Sequence, residues 1–369
     1  MRIGIDCRLP TYQMGGISQY VLHLLPSLAA VDRHNEYVLF HSRKEQRSFI
    51  PPQASGRFIR RNLWTPCHHR WEPWALTVEL ARYKLDVMHS PDFIPPFGGG
   101  RRRIITIHDL NFVFYPDFLT AESRRYYLDQ VRWATEVADH ISVDSHATRR
   151  DVIEILETPE EKVTTIHLAA NPLYEHPFSE MAVDETLQKY NLPRGFILFV
   201  GTLEPRKNLP MLLRAYARLR QHSAIDLPLL LVGRKGWISD KIFTTIAELD
   251  LEEYVRHLPG LIDEELAHLY HAAGVLVTPS KYEGFGLPAL EAQHCDCPVI
   301  VSNRGSLPEI VGENGLKLDP DDIELWAESL ALVLSDAELR EAMINNGRTQ
   351  AKRFNWQKTA LETVALYEG

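Results

Sequence analysis

The sequence predicts an α/β protein built from two doubly wound parallel sheets in two domains of similar size. Three observations carry that prediction. A chain of 369 residues exceeds the size at which a single core stops growing. Short runs of Val, Ile, Leu and Phe, too continuous for half-exposed antiparallel strands, alternate with stretches of helical spacing in both halves. Between the two series lies a stretch at 168–194 with Asn171-Pro172, Pro177, Pro193 and weak periodicity, which reads as the boundary.

Composition narrows the class. An apolar fraction of 45% and a charged fraction of 24% are those of a soluble globular protein. No apolar run is long enough to span a bilayer and the chain opens directly on a strand. The expectation is therefore no signal peptide and a cytoplasmic location. Residues 1–175 hold 21 Lys/Arg and 21 Asp/Glu, so the whole net charge of −9 falls in the remainder, and the basic footprint required by nucleic acid is missing. Four cysteines are too few and too scattered for a disulfide framework. Cys295 and Cys297 have no second ligand pair, and read as small apolar residues rather than metal ligands. No metal and no cofactor is expected.

In the first half, residues 2–9 read as a strand, followed by a loop with Gly15-Gly16 and a helix over 17–30 with Tyr20, Leu24 and Leu28 on one face. The glycine pair would let a phosphate or acceptor approach the backbone, or is a plain turn. It is not a dinucleotide fingerprint, since G-x-G-x-x-G after the strand is missing. Further strands are expected at 36–41, 58–63, 86–90, 103–108, 140–144 and 163–167. Ligands of such sheets bind outside the carboxyl ends of the strands. Two polar groups fall there, His89-Ser90-Pro91-Asp92 and His108-Asp109. Arg57, Arg60, Arg61, Trp64, His68, His69, Arg70, Trp71 and Trp74 form a cationic and aromatic segment. We read its indoles as capping the core, against peripheral contact with a membrane or a lipid-linked acceptor. Arg101-Arg102-Arg103 after three glycines reads as an exposed turn before a strand.

In the second half a strand at 196–201 runs into Thr202-Leu203-Glu204-Pro205-Arg206-Lys207-Asn208-Leu209. Two cations at a strand's carboxyl end can neutralise a pyrophosphate, Arg as a fork and Lys as a point charge; solvated surface cations are the alternative. Strands follow at 227–232 and 255–259, the latter leading into Gly260-Leu261. Acids at 263–265 open a helix. A strand at 275–277 then precedes Glu283-Gly284-Phe285-Gly286-Leu287-Pro288, a glycine turn feeding a helix with proline in its first turn. Glu291 stands eight residues after Glu283. One carboxylate at the strand mouth and another inside the helix, with exposed backbone N–H groups between, suit a nucleotide-sugar. Two solvated glutamates are the plainer alternative. A strand at 298–302 and the loop Gly305-Ser306-Leu307-Pro308-Glu309 come next. Asp319-Pro320-Asp321-Asp322 reads as a helix cap, not a cation site. Helices are expected at 323–334 and 356–367.

The segment from Glu283 to Glu291 resembles the E-x7-E signature of retaining glycosyltransferases of family 4, which have the GT-B fold. Glu204-Pro205-Arg206-Lys207-Asn208 resembles the same family, and the likeness runs along essentially the whole chain. The stretch 106–127 most resembles bacterial mannosyltransferases of surface-polysaccharide assembly. The resemblance implies two Rossmann-like domains facing a central cleft: an acceptor domain at 1–170, a donor domain at 195–352, and a last helix at 353–369 returning to the first domain. It further implies that Arg206 and Lys207 hold the donor phosphates, and that Gly15 and Gly16 lie beside the diphosphate. His108 and Asp109 would close on the donor sugar. Gly260 and Leu261 would line the nucleobase pocket, Glu283 would bind sugar hydroxyls and Glu291 the ribose or nearby backbone. Gly284, Phe285, Gly286 and Leu287 would present the helix tip. The implied function is metal-independent, retaining transfer of a hexose, mannose from GDP-mannose or else a hexose from UDP, to a glycan or lipid-linked acceptor. A sugar-nucleotide epimerase and a nucleotide-sugar-binding protein without turnover are the competing classes.

Overall fold

The computed structural model describes residues 1–12, 15–54, 56–69, 71–116, 121–236, 238–313 and 315–369, with backbone alone for 121–126. Arg70 of the cationic segment, and 117–120 of the stretch likened to mannosyltransferases, lie outside the described residues. The chain divides into two compact units, Met1–Ala169 with Phe354–Gly369, and Ala170–Arg353.

The first unit holds seven parallel strands: β1 (Arg2–Asp6), β2 (Glu36–Ser42), β3 (Phe58–Leu63), β4 (Leu85–Ser90), β5 (Gly100–Ile107), β6 (His140–Val143) and β7 (Val163–Thr165). Their order is β3-β2-β1-β4-β5-β6-β7. Ile3 of β1 lies between Tyr37 and Val87, so the chain winds outward from β1 to one edge and restarts beside β1 at β4. That reversal is a topological switch point, where the loops after β1 and β4 part and leave a crevice. Ile3, Ile5, Val38, Phe40, Val87 and Met88 are inaccessible to solvent, as continuous apolar strands covered on both faces must be. The helix Trp356–Glu368, capped by the Asn355 side chain, packs here. Tyr367 Oη meets His89 Nδ1 at 2.7 Å, and Thr359 Oγ1 donates to the His167 carbonyl at 2.7 Å.

Two expectations in this unit are corrected. Arg101, Arg102 and Arg103 lie within β5 and are not a turn. Each guanidinium has a local partner: Asp86 for Arg101, the Tyr367 carbonyl for Arg102 and Asp139 for Arg103. The three cations therefore do not interrupt the ladder. The indoles do not cap the core either. Trp64, Trp71 and Trp74 are 72%, 58% and 61% exposed; the first two precede the helix Glu72–Leu80, which buries Leu76 and Leu80 and turns Trp74 and Val78 outward. Among the described residues, no helix is long and apolar enough to cross a membrane.

The second unit holds β8 (Ile197–Val200), β9 (Leu229–Val232), β10 (Val255–Leu258), β11 (Val275–Thr278), β12 (Val299–Ser302) and β13 (Leu316–Leu318), all parallel, in the order β10-β9-β8-β11-β12-β13. Its switch point lies between β8 and β11. Phe199, Leu213, Tyr216 and Trp326 are fully buried in its core. The Trp326 indole N–H is satisfied by the Asp319 carbonyl at 2.9 Å, as a buried donor requires. Asp322 accepts from the Leu325 N–H at 3.0 Å and caps Ile323–Ser335, the role read from sequence. The stretch 168–194 is not a bare connection. It carries the helix Glu180–Tyr190, capped by Ser179 and burying Val183 and Leu187, and this helix belongs to the second unit. Ala337–Ala351 is a further helix that the sequence reading did not contain.

Candidate active site

The side chains with the greatest chemical consequence gather at the β8–β11 switch point of the second unit. After β8 the chain makes one short turn, Pro205–Lys207, and Asn208 in the left-handed region ends it. This turn sets Arg206 and Lys207 beside the residues that follow β11. Arg206 Nη1 donates to Glu283 Oε2 at 2.7 Å and to the Tyr282 carbonyl at 2.8 Å. Its Nε and Nη2 both reach Glu204 Oε1. Lys207 Nζ donates to Glu283 Oε1 at 2.6 Å, and so does the Ser280 hydroxyl, also at 2.6 Å. Burial alone would raise the Glu283 carboxyl, but Arg206 and Lys207 outweigh it and hold it down at about 2. Glu283 is therefore an ionised clasp between two cations. Both of its oxygens are engaged by protein groups, which fill three of the roughly four hydrogen bonds a carboxylate accepts. Lys207 spends one of its three donors on this clasp.

Immediately beyond Glu283 the chain turns into the helix Leu287–His294 through Gly286, whose φ of +101° disfavours any other residue. A Cβ there would also lie 2.7 Å from Leu307 Cδ2. The turn is fixed from behind. Ser306 donates its N–H to the Glu283 carbonyl at 3.1 Å and its hydroxyl to the Phe285 carbonyl at 2.6 Å. Gly305 (φ +57°) brings that loop so close that a Cβ would fall 2.5 Å from the Glu283 oxygen. Gly284, Phe285, Gly286 and Leu287 thus form a rigid approach to a helix N-terminus beside two cations. This is a physical environment for anionic phosphate oxygens.

Glu291 lies further along the same helix, half-buried, and its Oε2 accepts from the Tyr270 hydroxyl at 2.8 Å. Desolvation lifts this carboxyl to about 7. Near neutral pH it can thus both donate and accept a hydrogen bond. Gly260 and Leu261 occupy the loop after the edge strand β10, with Gly260 exposed and open space where its Cβ would be.

The remaining predicted residues are in the first unit. Gly15 precedes and Gly16 opens the helix Gly16–Val31; Gly15 is extended and Gly16 has nothing within 4 Å of its missing Cβ. Backbone geometry demands glycine at neither position. His108, at the end of β5, gives Nδ1 to Asp144 Oδ2 at 2.6 Å and Nε2 to the Pro91 carbonyl at 2.8 Å. Burial lowers the imidazole but Asp144 more than offsets it, raising it to about 9. As an imidazolium with both N–H groups engaged, His108 ties the β4 loop to the end of β6 and has no donor left for a sugar. Asp109 accepts from the Asn111 backbone and side-chain amides at 3.0 Å.

The chain matches the model of "Glycosyltransferase Family 4" over residues 14–172 and that of "Glycosyl transferases group 1" over 184–350. It is 34% identical over 374 residues to the O-antigen chain mannosyltransferase B of Escherichia coli, covering 97% of each chain. The chain belongs to glycosyltransferase family 4. Within the family it also resembles the MMP alpha-(1->4)-mannosyltransferase of Mycolicibacterium hassiacum, at 33% identity over 65% of this chain and 56% of that one. Its fold is that of the sucrose-phosphate synthase of Thermosynechococcus elongatus, with a TM-score of 0.77, 24% identity, and 100% and 98% of the two chains covered. The GT-B fold expected from sequence, two Rossmann-like units each built on a parallel sheet, is the one found.

Sequence reasoning missed several partners that hold the candidate residues of each unit. Glu204 and Ser280 complete the clasp, Tyr270 holds Glu291, Ser306 pins the turn and Asp144 charges His108. Glu204 and Ser280 sit two and three residues from site residues, so adjacency could have nominated them. Ser306 lies in the Gly305-Ser306-Leu307-Pro308-Glu309 loop already noted in the sequence, whereas Tyr270 and Asp144 carry no local signal.

Proposed function

We propose that this glycosyltransferase moves a mannosyl residue from GDP-mannose to a glycan or lipid-linked acceptor of surface-polysaccharide assembly, with retention and without a metal ion. The observation that carries the reading is the pair Arg206 and Lys207, poised on Glu283 beside a helix N-terminus at the switch point of the second sheet. In the reaction the C1–O bond to the diphosphate breaks and C1 bonds the acceptor oxygen on the same face. The acceptor proton passes to the departing diphosphate, and GDP leaves. Arg206, Lys207 and the N–H groups of Gly286 and Leu287 stabilise the charge that develops on that leaving group. Glu283 keeps the two cations in place until the diphosphate shares them. A double displacement would need a free carboxylate under the ring, and Glu283 is committed to Arg206, Lys207 and Ser280. His108 and Asp109 act as positioning residues for the β4 and β5 loops. Glu291 is assigned to the ribose, and Gly260 and Leu261 to the base. Cations already supply the neutralisation a divalent ion would give, and the Asp319 and Asp321 carboxylates pair with Arg304 and Lys281.

Mannose is supported by the extent of likeness to the O-antigen mannosyltransferase. A lipid-linked acceptor and peripheral membrane contact are supported by the outward indoles Trp64, Trp71 and Trp74, an interfacial composition in the loop before a short helix and on that helix's exposed face. The test is a panel of nucleotide-sugars assayed for transfer and donor hydrolysis, with and without a chelator, and with the product's anomeric configuration read by NMR. The proposal expects GDP-mannose to be used best, an α product and no chelator effect. Faster turnover of a UDP-hexose, inversion, or a strict metal requirement would overturn the corresponding part.

A further inference from the structure

Of the run Glu204-Pro205-Arg206-Lys207-Asn208, Glu204, Arg206 and Lys207 meet in the clasp on Glu283 and Asn208 does not. Asn208 stands just before the helix Leu209–His222, where an asparagine side chain ordinarily accepts a hydrogen bond from the first turn. It does not do so here. Its backbone is left-handed, with φ +56°, and its side chain makes no cap. Instead Nδ2 donates to the Pro320 carbonyl at 2.6 Å, 112 residues away in sequence and within the same unit. Asn208 is 8% exposed and Pro320 is buried, so this hydrogen bond is shielded from water. The acceptor is itself fixed. The neighbouring Asp319 carbonyl takes the Trp326 indole N–H at 2.9 Å, and Asp322 caps the helix that follows.

The consequence falls on Lys207 rather than on Arg206. Arg206 is held independently, its carbonyl by the Lys281 N–H at 2.9 Å and its guanidinium by Glu204, Glu283 and the Tyr282 carbonyl. The Lys207 ammonium has Glu283 as its one partner among the described residues, at the end of a flexible four-carbon stem. Where Nζ falls is therefore set by the backbone that carries it. The turn closes with the N–H groups of Lys207 and Asn208 on the Glu204 and Pro205 carbonyls, both at 3.0 Å. Asn208 is then the joint between that turn and the helix. Asparagine adopts the left-handed conformation more readily than most residues with a side chain, and its amide alone ties the joint to the far loop. We infer that Asn208 is a positioning residue for transfer: through Pro320 it holds the left-handed joint, and so places Lys207 Nζ for the departing diphosphate. The inference rests on the diphosphate role given to Lys207 above.

The test uses the full chain with Asn208→Gly, which keeps the left-handed backbone and loses the amide, and Asn208→Ala, which loses both. Each is made alone and together with Lys207→Ala. Melting temperatures are measured first; kcat and KM are then measured well below them, with the nucleotide-sugar that the wild type uses best. Asn208→Gly should lower kcat about tenfold and Asn208→Ala further, the scale of a slightly misplaced catalytic group. In the Lys207→Ala background the same replacements should change kcat less than about twofold, because the group they misplace is gone. KM for the acceptor should stay at its wild-type value. Should Asn208→Ala fail to fold, Asn208→Gly carries the test. Where turnover of Lys207→Ala is too slow to follow, the same cycle is read on the affinity for the nucleoside diphosphate product, with the same non-additivity expected. Wild-type kcat in Asn208→Gly, or an equal loss in both backgrounds, would overturn the inference and leave Asn208 with a structural role alone. Near-normal turnover of Lys207→Ala would instead bring down the diphosphate grip itself, a failure distinct from one confined to Asn208.

Discussion

Replacing Glu283 by Gln removes the one negative charge that Arg206 and Lys207 share, while leaving volume and the Ser280 hydrogen bond nearly unchanged. The carboxyl is held at about 2, against an ordinary 4.5. At ~1.4 kcal/mol per pH unit, that lowering corresponds to about 3 kcal/mol of folded-state stabilisation at neutral pH, similar to the cost of breaking other buried pairs. The sign follows from a depressed acid. The stabilisation is complete above about pH 4.5, roughly three-quarters remains at pH 4, under half at pH 3, and it vanishes below about pH 2. Urea unfolding of the two proteins from pH 7 down to pH 3 should therefore show a gap on the order of 3 kcal/mol that closes as acid is added. Glu283→Gln should also lower transfer far more than it lowers GDP affinity, because the released cations can still reach a diphosphate. A gap that is negligible or indifferent to pH, or a loss of GDP binding equal to the loss of turnover, would refute the clasp.

Other expectations concern neighbouring features. Arg206→Ala and Lys207→Ala should each cut kcat about 100-fold or more with the fold retained, the scale of a lost charge-stabilising donor; near-normal rates in both would remove them from the site. Glu291 has the opposite sign to Glu283. Its raised carboxyl favours the fold below about pH 4.5 and progressively disfavours it up to about pH 7. Glu291→Gln should thus match the wild type at pH 4.5 and exceed it in Tm at pH 8, and a constant difference would contradict the assignment. Gly305→Ala should lower Tm and turnover together, since its Cβ would collide with the Glu283 carbonyl at 2.5 Å. Trp71→Ala with Trp74→Ala should weaken sedimentation with vesicles containing anionic lipid while leaving GDP binding intact; unaltered sedimentation would discard the membrane contact.

Much of the architecture was legible because buried parallel strands write themselves as uninterrupted apolar runs. Val275–Thr278 and Val299–Ser302 are fully buried and were placed to within a residue. Charge hid what burial did not reveal. Arg101 to Arg103 are in β5 because each has an acidic or carbonyl partner elsewhere in the chain, which periodicity cannot show. The helix Glu180–Tyr190 had a usable signal, Ser179 as cap and Val183 and Leu187 one turn apart, but it was masked by the prolines around it. Composition could nominate the three indoles and could not say which face they take. In the site, the chemistry of Arg206, Lys207 and Glu283 was readable as residue types at strand ends. Their mutual pairing, across 76 and 77 residues, was not, and it sets the Glu283 carboxylate between the two cations. The His68–Asp92 pair, 24 residues apart, was equally invisible.

The central claim is that the second unit grips the donor's diphosphate with Arg206, Lys207 and the N-terminus of Leu287–His294. The most direct measurement is a crystal structure of the full chain with GDP. The account predicts diphosphate oxygens within about 3 Å of Arg206, Lys207 Nζ and the Gly286–Leu287 N–H groups, with Glu283 sharing its cations. Diphosphate bound elsewhere, with both cations still closed on Glu283, would contradict it.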